Sequence, residues 1–350
     1  MRALSLSLRC VLSLTCAGLL ASAAQAADNK VLNLYSARHY QTDEALYANF
    51  TKQTGIRIQR VDADDAGILA RLKSEGTSSP ADVVLLVDAS RLWRAEVDGL
   101  FQGIRSPVLE AKVPAQLRGK DSGQGSPWFG FSTRARMVIY NKQMVSKSDV
   151  DTYEKLANPK LQGKLCTRSG SHPYNLSLFG AMTERLGAPA TENWLKGLVA
   201  NMARTPKGGD TDQIKATASG ECGVALVNSY YLARMLRSNK SEDRDAVEKI
   251  GYLMPDQSGA GTHMNIAGGA VARYAQNRDA AVKFLEYLAS DSAQAYFADG
   301  NNEWPVVKTV KITNPALDSF GAFKTETTPA SVIGMNQVKV QQMLDRVGYK

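Results

Sequence analysis

The feature that most restricts the fold is an alternation of strand-like and helix-like segments across residues 31–100. In 31–36, Leu32 and Leu34 alternate with Asn33 and Tyr35, the period-two pattern of a strand. The loop Ala37-Arg38-His39-Tyr40-Gln41 follows. Thr42 then stands where it would cap a helix with Asp43 and Glu44 in its first turn and Gly55 at its end. Residues 56–61 read as a second strand, 66–75 as a second helix closed by Gly76, 81–88 as a third strand and 90–100 as a third helix. The nearly unbroken apolar run in 81–88 fits a strand covered on both faces. Strand and helix taking turns in this way predict a parallel α/β sheet. Ligands of such sheets sit at the carboxyl ends of the strands, where the sequence places His39, Tyr40 and Asp88.

A second stretch, 221–236, carries the candidate chemistry. Residues 223–227 are a short apolar run that reads as a buried strand, and Leu232, Met235 and Leu236 continue at helical spacing. Asn228 or Ser229 between them is a cap for that helix. Tyr230 and Tyr231 therefore fall on the turn from strand into helix. Adjacent side chains on a strand point to opposite faces. At a helix start they can converge, and the positive end of the helix eases ionisation of a phenol. The pair fits a site for a hard metal ion, although taken alone it is more simply an amphipathic pair at the edge of a core.

The 350-residue chain, 44% hydrophobic and 22% charged, has a globular composition and room for two domains. Residues 1–26 read as a cleaved signal peptide. Arg2 and Arg9 precede the apolar run 11–20, and Ala24-Gln25-Ala26 is a small-x-small cleavage site. The mature chain is expected to begin at Ala27, because that apolar run is too short for a membrane anchor. Cys10 and Cys16 leave with the signal. Cys166 and Cys222, in an exported protein, form either a disulfide or a pair of buried thiols. The formal charge is +8 before Arg2 and Arg9 are lost. Its basic residues are interleaved with acids, as in Glu242-Asp243-Arg244-Asp245, and this argues against nucleic-acid binding.

Residues 128–140 form a strand-like segment long enough to pass from one lobe to another. A helix starts near Tyr174 and ends at Gly187, and further helices are expected near 191–202, 210–219, 278–289, 292–298 and 331–347, with a strand over 265–272.

The loop Tyr35-Ser36-Ala37-Arg38-His39-Tyr40, the segment from Tyr153 to Lys164 with its Leu-Ala-Asn-Pro-Lys-Leu-Gln-Gly-Lys run, the Tyr174 turn and Asn228-Ser229-Tyr230-Tyr231 carry a resemblance. In this order they resemble the periplasmic ferric-iron-binding proteins, the substrate-binding components of iron ABC transporters. The resemblance covers essentially the whole mature chain. It implies an α/β fold of the type II periplasmic binding class, two α/β lobes joined by a hinge with a cleft between them. The N-terminal lobe would be 27–128 plus 261–310, and the C-terminal lobe 129–260 plus 311–350. It implies metal ligands His39 and Tyr40 from the first lobe and Tyr174, Tyr230 and Tyr231 from the second. The chemistry agrees, since a hard trivalent cation prefers anionic oxygen and imidazole also suits iron. Free tyrosine titrates near ~10, so binding Fe(3+) must displace protons and weaken in acid. Arg38, Arg134, Arg136 and Arg234 are candidates to balance the charge or to hold a synergistic anion such as carbonate or phosphate. With Tyr40 present, the chain is nearer the tyrosine-rich branch than the one that uses His, Glu and an anion. Asp88 falls where that glutamate would stand and is a doubtful ligand. His172 and His263 read as structural or exposed residues, and Tyr140 and Tyr252 as core or strand residues. The implied partner is an inner-membrane ABC permease, and a periplasmic monomer is expected.

No serine-nucleophile elbow, phosphate loop or His-Glu-x-x-His motif occurs, so binding rather than catalysis is expected. The rival reading is a two-lobed binding protein for another solute, such as a polyamine or a small oxyanion.

Overall fold

Alternate residues of the strands feed different cores, which is why the apolar runs are nearly unbroken. In the computed structural model, which describes residues 31–38 and 40–350, Val83 and Leu85 join Leu32 and Leu34 on one face of a sheet, while Val84 and Leu86 join Tyr35 on the other. Further along, Val224 and Leu226 pack into one core, and Ala225 and Val227 into its neighbour across the sheet. The expected signal segment, and His39, lie outside the described residues.

The strands among the described residues are β1 (Val31–Ser36), β2 (Arg57–Asp62), β3 (Val83–Leu86), β4 (Phe101–Gln102), β5 (Phe129–Asn141), β6 (Leu165–Cys166), β7 (Val224–Asn228), β8 (Ile250–Leu253), β9 (Met264–Ala272) and β10 (Trp304–Pro305). They follow the order β2-β1-β3-β9-β5-β7-β6, with β4 beside β9 and β8 and β10 beside β5. β5 is the long strand expected near 128–140. Its first half, Phe129 to Ala135, pairs with β9, and its second half, Arg136 to Asn141, pairs with β7 and β8. One strand thus belongs to the sheets of both α/β lobes.

The parallel sheet expected from the alternation is realised only in part. β2, β1 and β3 are parallel, whereas β9 is antiparallel to β3, and β5 to β9 and β7. A strand that arrives from the other lobe, and not over a crossover helix, is free of the connection that enforces parallel pairing. The helix Asp43–Thr54 forms as expected, but Thr42 does not cap it; its backbone is already helical, and its hydroxyl bonds Asn301. Cys166 and Cys222 are joined in a disulfide, with Cα atoms 5.8 Å apart, that ties β6 to the approach to β7.

The helix Ala330–Val347 packs against both Ala89–Val97 and Pro173–Leu186. Gln337 donates from Nε2 to Ser90 Oγ, and Asn336 from Nδ2 to the Gly180 carbonyl at 3.2 Å. A Cβ at Gly180 would come within 2.9 Å of the Ile333 carbonyl oxygen, which is backbone and cannot swing aside. Gly180→Ala should therefore destabilise the protein by about 1–3 kcal/mol through overpacking, despite the better helix propensity of alanine. Chemical denaturation of the two proteins measures the difference, and a more stable variant would show that the helices can separate freely.

Candidate metal centre

Each candidate tyrosine sits where a strand or a loop gives way to a helix. Beyond β1, the Ala37 N–H bonds the Leu85 carbonyl at 2.8 Å, and the Arg38 N–H bonds Ser36 Oγ at 3.1 Å. This carries Tyr40 past the carboxyl end of β1, and the Asp43 N–H closes back on the Tyr40 carbonyl at 3.1 Å. In the other lobe Tyr174 is the second residue of the helix Pro173–Leu186, with a proline at its start. The Tyr174 N–H donates to His172 Nδ1 at 3.3 Å. Tyr230 is the second residue of the helix Ser229–Leu236, directly after β7. Neither expected cap acts there. Asn228 Oδ1 accepts from Arg136 Nη1 at 3.2 Å, and Ser229 Oγ accepts from the Ala135 N–H at 3.2 Å.

These starts converge. The Tyr174 and Tyr230 phenol oxygens are 3.1 Å apart and hydrogen-bonded. The Tyr40 and Tyr230 rings meet edge to face with centroids 5.5 Å apart, and Tyr231 stacks on Tyr230 at 4.2 Å. The Tyr40 hydroxyl donates to Glu303 Oε1 at 3.2 Å. A cleft of about 760 Å³ adjoins the group, lined among others by Arg38, Tyr40, Arg168, His172, Tyr174 and Tyr231. The structure therefore gathers Tyr40, Tyr174, Tyr230 and Tyr231, while His39 falls outside the described residues.

Burial is the largest influence on these phenols. It pushes Tyr40, Tyr174 and Tyr230 above the ordinary tyrosine range; neighbouring phenols add to the rise at Tyr40 and Tyr230, while at Tyr174 the charge of Tyr231 raises it and the hydrogen bond with Tyr230 eases it. Glu303 adds to the rise at Tyr40, and the Arg134 guanidinium opposes the rise at all three. The helix ends favour charge, but desolvation prevails.

The four candidate arginines separate into different situations. Arg136 is committed behind the site, to Asp210 at 2.9 Å, Asn228 at 3.2 Å and Asn175 at 2.8 Å. Arg38 is held by Asp43 at 2.6 Å and Glu303 at 3.5 Å. Arg234 is exposed, bonds Thr211 Oγ1 at 3.1 Å and lies 5.2 Å from the Tyr231 ring centre. Arg134 is 1% exposed and 5.4 Å from the Tyr174 ring centre; one of its nitrogens donates to the Val87 carbonyl, while Nε and Nη1 lack hydrogen-bond partners among the described residues. Asp88 is occupied structurally: it caps the helix Ala89–Val97 through the Ser90 N–H and accepts from Ser177 Oγ and Asn265 Nδ2, both at 2.7 Å.

Sequence reading missed Glu303, Asp210 and Arg168, and took His172 for a structural or exposed residue; His172 lies on the cleft wall with its ring 4.5 Å from that of Tyr174. Only Asp210 carried a local signal, the Gly-Gly-Asp opening of a helix, and that signal spoke of the helix alone.

Comparison with known proteins places this geometry in context. A family model described as bacterial extracellular solute-binding protein matches residues 45–323. Iron uptake protein A1 of Synechocystis sp. is 44% identical over 323 residues, 92% of this chain and 88% of that protein. The Trichodesmium protein (IdiA, FutA) solved in complex with iron and citrate is 49% identical, with a TM-score of 0.84 over 91% of this chain and 100% of its own. The ferric binding protein from Campylobacter jejuni is 35% identical, with a TM-score of 0.86 and the same shares covered.

The raised phenols have a consequence for alkaline stability. Above the unfolded tyrosine value of ~10 the unfolded chain releases protons that the folded chain retains, so stability falls as pH rises further. Ultraviolet titration should show a set of tyrosines that ionise only as the fold is lost. Tyr230→Phe should remove one phenol from that late set, and removal from the early set would show that Tyr230 is not buried in solution.

Proposed function

The chain belongs to the bacterial extracellular solute-binding protein family, and we propose that its cleft carries ferric iron, held by Tyr40 from one lobe and by Tyr174, Tyr230 and Tyr231 from the other, with His39 as a further ligand. The observation that carries this reading is the meeting of the Tyr174 and Tyr230 oxygens at 3.1 Å beside two helix starts. Relatives named as iron uptake and ferric iron-binding proteins support it. A polyamine would need free carboxylates on the cleft wall; there Asp43 is paired with Arg38 and Glu44 and Asp62 with Arg60, while Asp64 caps a helix and Asp65 accepts from the Val87 N–H.

Phenolate oxygen is a hard anionic donor suited to a trivalent cation. Each tyrosine that binds gives up its proton, and three phenolates cancel the charge of the ion. A fourth leaves the site negative, and the buried Arg134 guanidinium supplies the balancing charge. An added anion, carbonate or a carboxylate of citrate, would enter from the cleft side, where Arg168 and His172 line the wall. Donors from both lobes bind the ion together only when the cleft is closed, so the cargo itself favours closure. The lobes in this reading are 27–128 with 261–310 and 129–260 with 311–350. The loaded protein, a monomer that reaches the periplasm by way of the 1–26 signal, docks on an inner-membrane ABC permease.

Titration with ferric nitrilotriacetate should produce a visible phenolate-to-iron charge-transfer band. The paired substitution Tyr230→Phe and Tyr231→Phe should abolish most of that band and weaken binding; unchanged affinity would reject the assignment. Because neutral phenols must lose protons to bind, affinity falls as pH falls, by roughly tenfold per pH unit for each proton displaced. Competition titrations between neutral and mildly acidic pH measure the slope, and a flat profile would exclude tyrosine ligation.

A further inference from the structure

Behind the tyrosines lies a buried charge that the ferric reading leaves without a task. Asp210 opens the helix Asp210–Ser219 and is 0% exposed. Its Oδ2 accepts from Arg136 Nη1 at 2.9 Å and from the Asn228 N–H at 2.7 Å, and its Oδ1 faces Arg168 Nη1 at 3.5 Å. Each partner leads on to a tyrosine. Asn228 ends β7 just before the helix that begins Ser229-Tyr230-Tyr231. Arg136 reaches from Nη2 to Asn175 Oδ1 at 2.8 Å, and Asn175 directly follows Tyr174. Arg168 interacts with the Tyr231 side chain, and its guanidinium lies 5.0 Å from the Tyr174 ring centre. The residue after Asp210, Thr211, accepts from Arg234, which in turn lies over the Tyr231 ring.

Resting on the ferric reading above, we propose that Asp210 is a positioning residue: through Arg136, Arg168 and Asn228 it locks the Tyr174 turn to the Tyr230-Tyr231 turn, so that the second lobe presents a preformed half-site. Stability alone is a weak reason for the arrangement, since a buried ion pair is often no better for a fold than apolar residues of the same size. What the pair provides is registration between separate parts of the chain. Asn175 directly follows Tyr174 and Asn228 precedes Tyr230 by two residues, and Arg136 bonds both asparagines. Partners that orient metal ligands from behind typically govern affinity by roughly 10- to 100-fold.

The test uses the whole mature protein and three variants: Asp210→Asn, the pair Asp210→Leu with Arg136→Met, and Leu344→Ala, a core truncation in the same lobe that serves as a stability control. Ferric affinity by competition with nitrilotriacetate, the charge-transfer band and the iron-free melting temperature are measured for each. The paired variant removes both buried charges but leaves the Asn228 N–H and the Asn175 and Asn228 side-chain oxygens without these partners, so it should melt below the parent, as Leu344→Ala does, yet it alone should lose roughly 10- to 100-fold in ferric affinity and shift the band. Leu344→Ala should lower the melting temperature and leave the band in place. Parent-like affinity and band in either Asp210 variant overturns the inference, as does an equal affinity loss in Leu344→Ala. Absence of any band in the parent protein instead overturns the ferric reading itself.

Discussion

The structure depends on phenol oxygens that are held close together, buried and protonated, an arrangement that the proposed cation would reverse. Tyr174 and Tyr230 share a hydrogen bond at 3.1 Å while at least one keeps its proton. As two phenolates at that separation they would repel by on the order of 5 kcal/mol at an effective dielectric of about 20. Burial already raises the titration of both, and Tyr174 raises that of Tyr230 further. A multiply charged cation reverses all of these terms together. Such a site would be quiet without a cation and strongly attractive with one, which is the behaviour the proposed carrier requires.

Holding such oxygens together is a demand on the backbone. The chain meets it by ending β1 and β7 at the same gap and by starting helices at Pro173 and Ser229 there. β5 and β9 pass the gap as paired strands and fix the distance between the sheets. Arg134, on β5, reaches the Val87 carbonyl on one side and the Tyr174 ring on the other. Asp88 meets Ser177 from the helix that begins at Pro173. The polar groups nearest the crossing strands are thus used twice, once to seal the fold and once to back the site.

Much of this was legible in the sequence because it rests on local periodicity. The strand at 31–36, the buried run near 81–88, the long segment near 128–140 and the strand-to-helix turn at Tyr230 all follow from the spacing of apolar residues. The tyrosines stood out because they occupy element boundaries, where side chains converge. What stayed hidden depends on partners distant in the chain. Thr42 and Asn228 have the chemistry of helix caps, yet Asn301 and Arg136 take their side chains. Glu303 lies far along the chain from Tyr40, which it meets through a tertiary contact alone. Four arginines were equivalent candidates by residue type; tertiary partners separate Arg134 from the equally buried but committed Arg136, and burial separates it from the exposed Arg234.

The contacts that join the lobes near the site bear on how the cargo is released. Asp88 meets Ser177 at 2.7 Å, Arg237 reaches the Asp299 carbonyl at 2.6 Å and Asn302 at 2.8 Å, and Tyr40 meets Tyr230 through a ring edge. Hydrogen bonds of this kind each contribute about 0.5–1.5 kcal/mol net, and an aromatic edge contact a similar amount. Their sum is a few kcal/mol, comparable with the ordering of the side chains that make them. Away from the tyrosines the lobes also share apolar contact: the helix Ala330–Val347 packs on Ala89–Val97 and on Pro173–Leu186, and Ala233 meets Ala298 in a small cluster. The polar bonds beside the tyrosines are thus the part of the seam that opens at modest cost, and the proposed ion would tip the balance there.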